Sequence, residues 1–322
     1  MTKTTETCAV PNKEMLEILA RLEQEDKGLP DPTTLPPLQA RDVADKVNNR
    51  WNQNLPAMGQ IDKVVFKSPA GHDITTCLFT PENRVKGLVM FIHGGGFSLC
   101  SIKTHERSAR LLAEEASCAV LSIDYRLAPE HPFPAGLNDC ISVFRQISHV
   151  YELYDWTCGP LAIAGDSSGA NLALTLMLHE QAENRRSPDF AMLFYGVYGS
   201  DFATQSYRDY ADGPGLTRDR MMRYFDWYAP KSARDNPLIT PLNASDEALN
   251  NLPPLYLNAA EIDPLCSDTE TIAMRLRSLN RKDDVRIYRG VVHGFMQMTL
   301  YLSAAREATT EAAYAFRKST GS

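Results

Sequence analysis

The sequence lacks the features that place a protein in or across a membrane. Its 322 residues contain no run of the roughly 18 apolar residues that a membrane-spanning helix needs. The opening stretch, residues 1–16, has no continuous apolar segment of the kind found in secretory signal peptides. We therefore expect a cytoplasmic protein without stable membrane association.

Neither the cysteines nor the positively charged residues form a pattern typical of a metal, redox or nucleic-acid-binding site. The seven cysteines are an odd number and no two lie closer than eighteen positions, so CxxC metal or redox pairs are absent. With 33 lysines and arginines against 40 aspartates and glutamates, the net charge is −7, the opposite of a typical nucleic-acid binder. We expect reduced cysteines packed as small apolar residues, and no nucleic-acid partner.

Motifs for several other chemistries are also missing. There is no GxGxxG or GK[ST] loop for nucleotide phosphates and no SxxK motif, and Glu183 occupies the place of the second histidine in an HExxH zinc site. We therefore predict neither a cofactor nor a bound metal ion. The composition, 43% hydrophobic and 23% charged, is that of an ordinary globular protein.

What the sequence does contain is a regular alternation of short apolar segments with amphipathic ones. The apolar segments predict strands at 61–66, 73–80, 88–92, 118–123, 161–165, 190–195, 255–260 and 285–289. Helices are predicted at 105–115, 136–150, 167–181, 269–279 and 302–316. Apolar strands separated by helices are typical of an α/β fold with a mostly parallel sheet and helices on both faces.

Two segments fall outside this alternation. Residues 1–55 are polar and helical in pattern, with a proline-rich break, and form a predicted N-terminal appendage to a main domain over 56–322. A long connection over about 197–253 interrupts the main domain between two predicted strands. Connections of this length inside a compact domain usually carry function, such as a lid.

Two glycine-containing turns indicate acyl-transfer chemistry. Gly165-Asp166-Ser167-Ser168-Gly169 lies between a predicted strand and a helix, the context of a GxSxG nucleophile elbow, with Ser167 as nucleophile. His93-Gly94-Gly95-Gly96 also follows a strand and is the rarer pattern. Backbone N–H groups that no side chain shields can hold the negative charge of a carbonyl oxygen. We assign this oxyanion role to the N–H groups of Gly94, Gly95 and Ser168.

A serine nucleophile needs a general base and a carboxylate that orients the base. His293 follows a predicted strand and precedes a helix, and His93 is its competitor for the base. Asp263 follows another strand and is the predicted carboxylate, with Asp268 and Glu261 as the alternatives. The chain order Ser167, Asp263, His293 is that of the α/β-hydrolases.

Five motifs together resemble those of the hormone-sensitive-lipase-like branch of the α/β-hydrolases, the bacterial family IV esterases. They are HGGGF, DYRLAPEHPFPA, GDSSGAN, EIDPL and VHGF, and the match runs from about residue 60 to 318. The resemblance implies a serine carboxylesterase with a cap built from the N-terminal helices and the 197–253 insertion. It places the catalytic and oxyanion roles on the same six residues. The chain departs from the family at Ser168, commonly alanine, and at Cys266-Ser267, commonly Arg-Asp.

The function that follows is hydrolysis of short- to medium-chain acyl esters through an acyl-enzyme intermediate. A lactonase or amidase would use the same residues and stays an alternative. A non-enzymatic small-molecule receptor of this fold is a second alternative, although such receptors characteristically lack the catalytic histidine that His293 supplies here. The sequence leaves open whether the chain forms a homodimer, and which ester is its natural substrate.

Overall fold

The computed structural model describes residues 8–83 and 85–321. Within them, eight strands form one sheet in the order β1-β2-β4-β3-β5-β6-β7-β8. The two pairings of β2, with β1 and β4, are antiparallel, and the remaining neighbours are parallel. The strands are β1 (Gln60–Lys67), β2 (Asp73–Thr80), β3 (Leu88–Ile92), β4 (Ala119–Asp124), β5 (Leu161–Asp166), β6 (Phe190–Phe194), β7 (Leu255–Ile262) and β8 (Asp284–Val292). The predicted α/β fold with a mostly parallel sheet is confirmed.

The described residues also form eleven α-helices. They are α1 (Lys13–Glu25), α2 (Pro37–Asn48), α3 (Glu106–Ala116), α4 (Ala135–Arg145), α5 (Ser148–Leu153), α6 (Ser168–Ala182), α7 (Gln205–Asp209), α8 (Arg218–Tyr228), α9 (Asp246–Asn250), α10 (Cys266–Ser278) and α11 (Ser303–Thr320). None of these helices is both long and apolar enough to cross a membrane.

The prediction of one helix over 136–150 is wrong, because the chain turns between α4 and α5. Gln146 ends α4, and its side-chain amide donates to the carbonyl of Lys67 at the end of β1, 2.9 Å away. This contact connects the turn to a strand that is distant in sequence, and α5 begins two residues later.

Two apolar layers, one on each face of the sheet, form the core. Along β3, Leu88 and Met90 pack on the face that α4, α6 and α10 cover, whereas Val89 and Phe91 pack on the face covered by α3 and α11. Every residue of β3 and β5 is buried. This double burial explains why the central strands appear in the sequence as continuous apolar runs.

The fold brings the motif residues to one edge of the sheet. His93 directly follows β3, Ser167 follows β5, Asp263 follows β7 and His293 follows β8. These strands are parallel, so their carboxyl ends lie along the same edge.

The N-terminal segment and the insertion lie beside each other. The N-terminal segment contributes α1 and α2, and its residues 1–7 lie outside the described part of the chain. The 197–253 insertion contributes α7, α8 and α9. An ion pair joins the two segments, with Nε of Arg220 2.7 Å from Oδ2 of Asp31.

A buried carboxylate anchors the start of the insertion to α10. Oδ2 of Asp268 accepts the N–H groups of Tyr198 and Gly199, at 2.8 and 2.7 Å. The side chain is almost fully buried. Burial raises the pKa of Asp268 to about 7, although the two backbone N–H groups act to lower it.

Asp268 should therefore make the stability of the fold depend on pH. Its pKa is higher in the folded than in the unfolded chain, so its contribution is present at low pH and is lost as the pH rises toward 7. In Asp268→Asn the amide stays neutral while its oxygen can accept the same N–H groups. The free energy of unfolding of the wild type, relative to this variant, should fall between pH 4 and 7 by at most about 1.4 kcal/mol per pH unit. Urea unfolding of both proteins at several pH values would measure the difference, and parallel pH curves would contradict it.

Candidate active site

Ser167 lies at a sharp turn between β5 and α6. Its backbone has φ of 53° and ψ of −119°, a conformation that residues with side chains rarely adopt. The glycines on either side permit the turn: a Cβ at Gly169 would lie 2.0 Å from the carbonyl oxygen of Ile92, and one at Gly165 would lie 2.5 Å from that of Gly169. The local geometry is thus the strand–turn–helix arrangement of a nucleophile elbow.

The structure brings Ser167, His293 and Asp263 together in one hydrogen-bonded series. Nε2 of His293 is 3.0 Å from Oγ of Ser167, and Nδ1 of the same ring is 2.6 Å from Oδ2 of Asp263. Asp263 is fully buried, and its other oxygen accepts the N–H of Leu265 at 2.9 Å. With Nδ1–H donating to the carboxylate, Nε2 is free to accept a proton from the serine hydroxyl.

The alternative candidates for base and acid have other partners. Nδ1 of His93 donates to the carbonyl of Gly94 at 2.7 Å, and burial, helped by the nearby His105, lowers the pKa of His93 to about 3. A carboxylate oxygen of Glu261 accepts the N–H of Gly290 at 2.7 Å. Asp268 holds the start of the insertion, as described above.

The assignment of Gly94 as an oxyanion donor needs correction. Its N–H already donates to Oδ1 of Asp166, 2.9 Å away in a buried environment. The N–H groups of Gly95 and Gly96 donate to no other described residue. The loop of residues 93–98, called the glycine loop from here on, therefore has two available donors, one position later than the sequence suggested.

Ser168 contributes a further free donor close to the nucleophile. It is the first residue of α6, so its N–H has no acceptor within the helix. The N-terminus of a helix also carries a partial positive charge that favours a nearby anion. Ser168 is fully buried, which keeps this donor away from bulk water.

Helix α8 of the insertion packs directly on the glycine loop. The ring of Tyr224 lies against Gly96, where a Cβ would come within 2.3 Å of the ring carbon Cγ. The ring of Tyr228 stacks on that of Phe97, with centroids 3.8 Å apart and an interplanar angle of 5°. The loop is therefore covered by aromatic side chains from outside the sheet.

The N-terminal segment also reaches the site. A cavity of about 190 Å³ is lined by His293 and Gln297 together with Arg50 and Trp51 of the N-terminal segment. The imidazole of His293 retains 13% of its exposure. The N-terminal segment thus forms part of the surroundings of this histidine.

Arg41 in α2 ties the N-terminal segment to the glycine loop, a role that sequence reasoning missed. Its guanidinium donates to the carbonyls of Ser98 and Ala128, at 2.9 and 3.0 Å. It also forms a bidentate ion pair with the carboxylate of Glu130, with N–O distances of 3.0 and 2.6 Å. These partners lie 57 to 89 positions away in sequence, so no local motif marks the arginine.

Metal ligands are not clustered in the described part of the chain. Among residues 8–83 and 85–321, no group of three or more histidine, cysteine, aspartate or glutamate side chains is arranged to hold a metal ion.

Comparison with known proteins agrees with the fold. Residues 89–297 match a family described as alpha/beta hydrolase fold. An acetyl esterase of Salmonella paratyphi B is 29% identical over 269 residues, covering 83% of this chain and 82% of the relative.

Solved structures are similar over nearly the whole chain. An alpha/beta hydrolase enzyme from the metagenome of Lake Arreo, Spain, is 30% identical, with a TM-score of 0.90 over 97% of this chain and 99% of its own. An esterase from the archaeon Pyrobaculum calidifontis is 27% identical, with a TM-score of 0.86 over 96% and 98%. The family match covers more than half of the residues, so the chain belongs to the alpha/beta hydrolase fold family, in the hormone-sensitive-lipase-like branch whose motifs it carries.

Proposed function

We propose that this protein is a serine carboxylesterase in which Ser167 is the nucleophile, His293 the general base and Asp263 the residue that orients the base. The observation that carries the proposal is the continuous series of contacts from Ser167 through His293 to Asp263, at 3.0 and 2.6 Å, on a nucleophile elbow. The similarity to an acetyl esterase supports a carboxylic ester as the substrate.

In the proposed mechanism, Oγ of Ser167 attacks the ester carbonyl carbon while Nε2 of His293 takes the hydroxyl proton. Asp263 holds Nδ1–H and stabilises the imidazolium that forms. The carbonyl oxygen becomes negatively charged and is held by the N–H groups of Gly95, Gly96 and Ser168. His293 then gives its proton to the leaving alcohol, and a water molecule repeats the cycle on the acyl-enzyme.

The surroundings of the site support short- to medium-chain acyl groups as the substrates. Tyr224 and Tyr228 cover the glycine loop, and the N-terminal segment lies beside His293. We therefore propose that the N-terminal helices and the 197–253 insertion together act as a cap that limits the length of the acyl chain. Rigid aromatic walls favour each added methylene until the chain meets the wall.

The cytoplasmic location stays a prediction, and lactone or amide hydrolysis stays an alternative to ester hydrolysis. The cytoplasmic location agrees with the seven cysteines, all within the described residues, being free of disulfides. Lactone or amide hydrolysis would use the same residues, and no feature of the site favours it over ester hydrolysis.

Replacing the nucleophile should abolish the reaction. In Ser167→Ala, hydrolysis of p-nitrophenyl acetate should fall by roughly three orders of magnitude or more, because the three residues act as a unit. Ser168→Ala is the matched control: it removes the adjacent hydroxyl and keeps the backbone N–H, so most activity should remain. A fluorophosphonate probe should label wild type at Ser167. Substantial turnover by Ser167→Ala, or labelling of a different serine, would contradict the proposal.

Removing the aromatic wall should relax acyl-chain selectivity. Tyr224→Ala opens space above Gly96, so kcat/KM for an octanoyl ester relative to an acetyl ester should rise by about tenfold. Tyr224→Phe keeps the ring and should keep the wild-type ratio. If both variants show the wild-type ratio, Tyr224 does not limit the acyl chain.

Loosening the link between α2 and the glycine loop should slow the chemistry more than it weakens binding. Arg41→Met removes the donors to Ser98 and Ala128, and we expect kcat to fall by about tenfold with a smaller change in KM. Arg21→Met provides the control, because Arg21 lies in α1 and pairs with Glu25 on the surface, 2.5 Å away. Equal kcat values for the two variants would show that the N-terminal segment does not act through this loop.

A further inference from the structure

Tyr195 is an aromatic residue in a backbone conformation that aromatic residues avoid. It directly follows β6, and its φ is 37°. A positive φ strains the backbone of a bulky residue, and residues strained in this way cluster at functional sites. Glycine would adopt the same conformation without strain. A tyrosine at this position therefore calls for a role of its side chain.

Hydrogen bonds to β7 hold the backbone of Tyr195 in this conformation. Its N–H donates to the backbone carbonyl of Asn258 at 2.9 Å and to Oδ1 of the same residue at 3.0 Å. The carbonyl of the preceding residue, Phe194, accepts the N–H of Ser167 at 2.8 Å. Tyr195 is therefore fixed between β7 and the nucleophile elbow.

The ring of Tyr195 packs against the imidazole of His293. The two ring centroids are 5.0 Å apart and the ring planes meet at 68°, a T-shaped arrangement that is favourable between aromatic rings. Tyr195 retains 1% of its exposure, so close packing on all sides restricts the movement of its ring. The imidazole therefore has a rigid neighbour that is neither the nucleophile nor the carboxylate.

Two further contacts of Tyr195 connect the nucleophile elbow to the turn that follows His293. The hydroxyl of Tyr195 donates to the carboxylate of Asp166, the residue before the nucleophile, and accepts the N–H of Met296. The ring also packs on that of Phe295, with centroids 5.6 Å apart. Tyr195 thus contacts both chain segments that carry the reacting side chains.

The orientation of the imidazole has to survive a change of hydrogen-bond partner. Nδ1 of His293 stays bound to Asp263, whereas Nε2 first faces Oγ of Ser167 and later faces the leaving alcohol. Proton transfer requires Nε2 to stay aligned with each partner within hydrogen-bond distance. Contact with a second ring restricts rotation of the imidazole while Nε2 exchanges partners. The contacts with Asp263 and Tyr195 are therefore the constraints that persist through the reaction.

We propose that Tyr195 is a positioning residue for ester hydrolysis, whose ring fixes the plane of the His293 imidazole so that Nε2 points at Oγ of Ser167. The strained backbone of Tyr195 places the ring against the imidazole, and the hydrogen bonds to Asn258 hold it there. This role rests on the proposed esterase function, because it assigns the tyrosine a part in the proton transfer.

Removing the ring should slow the chemistry and leave binding almost unchanged. In Tyr195→Leu, kcat for p-nitrophenyl acetate should fall by about 30-fold with KM changed by less than about threefold, because a misaligned base affects the transition state more than the bound substrate. Tyr195→Phe keeps the ring that contacts His293, so its kcat should stay within about threefold of wild type. A Tyr195→Phe protein as slow as Tyr195→Leu would overturn the proposal, since the ring would then not be the group that matters.

Tyr256→Leu is the matched control for loss of packing. Tyr256 is as deeply buried as Tyr195 and lies in the same apolar layer. Its ring packs on that of Phe194, and its hydroxyl lies 3.0 Å from that of Tyr288. This variant should lose stability as Tyr195→Leu does, yet keep kcat within about threefold of wild type. Equal losses of kcat in the two leucine variants would show that packing alone is responsible and would contradict the proposal.

The order of the imidazole can be measured without any substrate. Carbon-13 relaxation of the His293 ring, with its signals assigned by their loss in His293→Asn, reports motion on the picosecond-to-nanosecond timescale. The ring should be rigid in wild type and in Tyr195→Phe, and mobile in Tyr195→Leu. An equally rigid ring in Tyr195→Leu would refute the positioning role.

These measurements also separate the positioning role from the proposed function. If wild type hydrolyses no ester, the proposed function fails, and the relaxation data alone then decide whether Tyr195 orders the imidazole. If Tyr195→Leu does not fold, Tyr195→Met takes its place, because it too removes the ring and keeps an apolar side chain. If neither folds, a rigid His293 ring in both wild type and Tyr195→Phe supports the proposal, and a mobile ring in either protein overturns it.

Discussion

The contact between Gly169 and the end of β3 holds the candidate site together. Because Gly169 has no side chain, the start of α6 can approach the carbonyl oxygens of Ile92 and His93, the points from which the glycine loop departs. The same approach places the start of α6, with the free N–H of Ser168, beside the end of β3, and Ser167 stands directly before it with a positive φ. Nucleophile and oxyanion donors thus depend on one close approach of two backbones.

The glycine loop itself is held from three directions. Asp166 binds Gly94 from within the sheet, Arg41 binds the carbonyl of Ser98 from α2, and Tyr224 covers Gly96 from α8. Each contact comes from a different part of the chain. Donors to a developing charge are most effective when they are fixed before the reaction begins, and three independent supports provide that rigidity.

Much of the fold and of the site could be predicted because the signals are local. Apolar runs predicted the strands, and the motifs pointed to Ser167, Asp263 and His293, which the structure places in hydrogen-bonding distance of one another. The errors concern contacts between distant segments. Gly94 looks like its neighbours in sequence, and only the fold shows that Asp166 occupies its N–H. Gln146, at the end of α4, likewise contacts the end of β1, which no local pattern marks. Arg41 was missed for the same reason.

The ion pair between Asp31 and Arg220 joins the two segments that cover the site, although 189 positions separate them in sequence. Both side chains are about one-third exposed, so the pair adds little to overall stability. Its importance is geometric, since it links the N-terminal segment directly to the 197–253 insertion. In recombination between relatives, a foreign insertion transplanted without its matching N-terminal segment would lose this joint, and the two segments should therefore be exchanged together as one module.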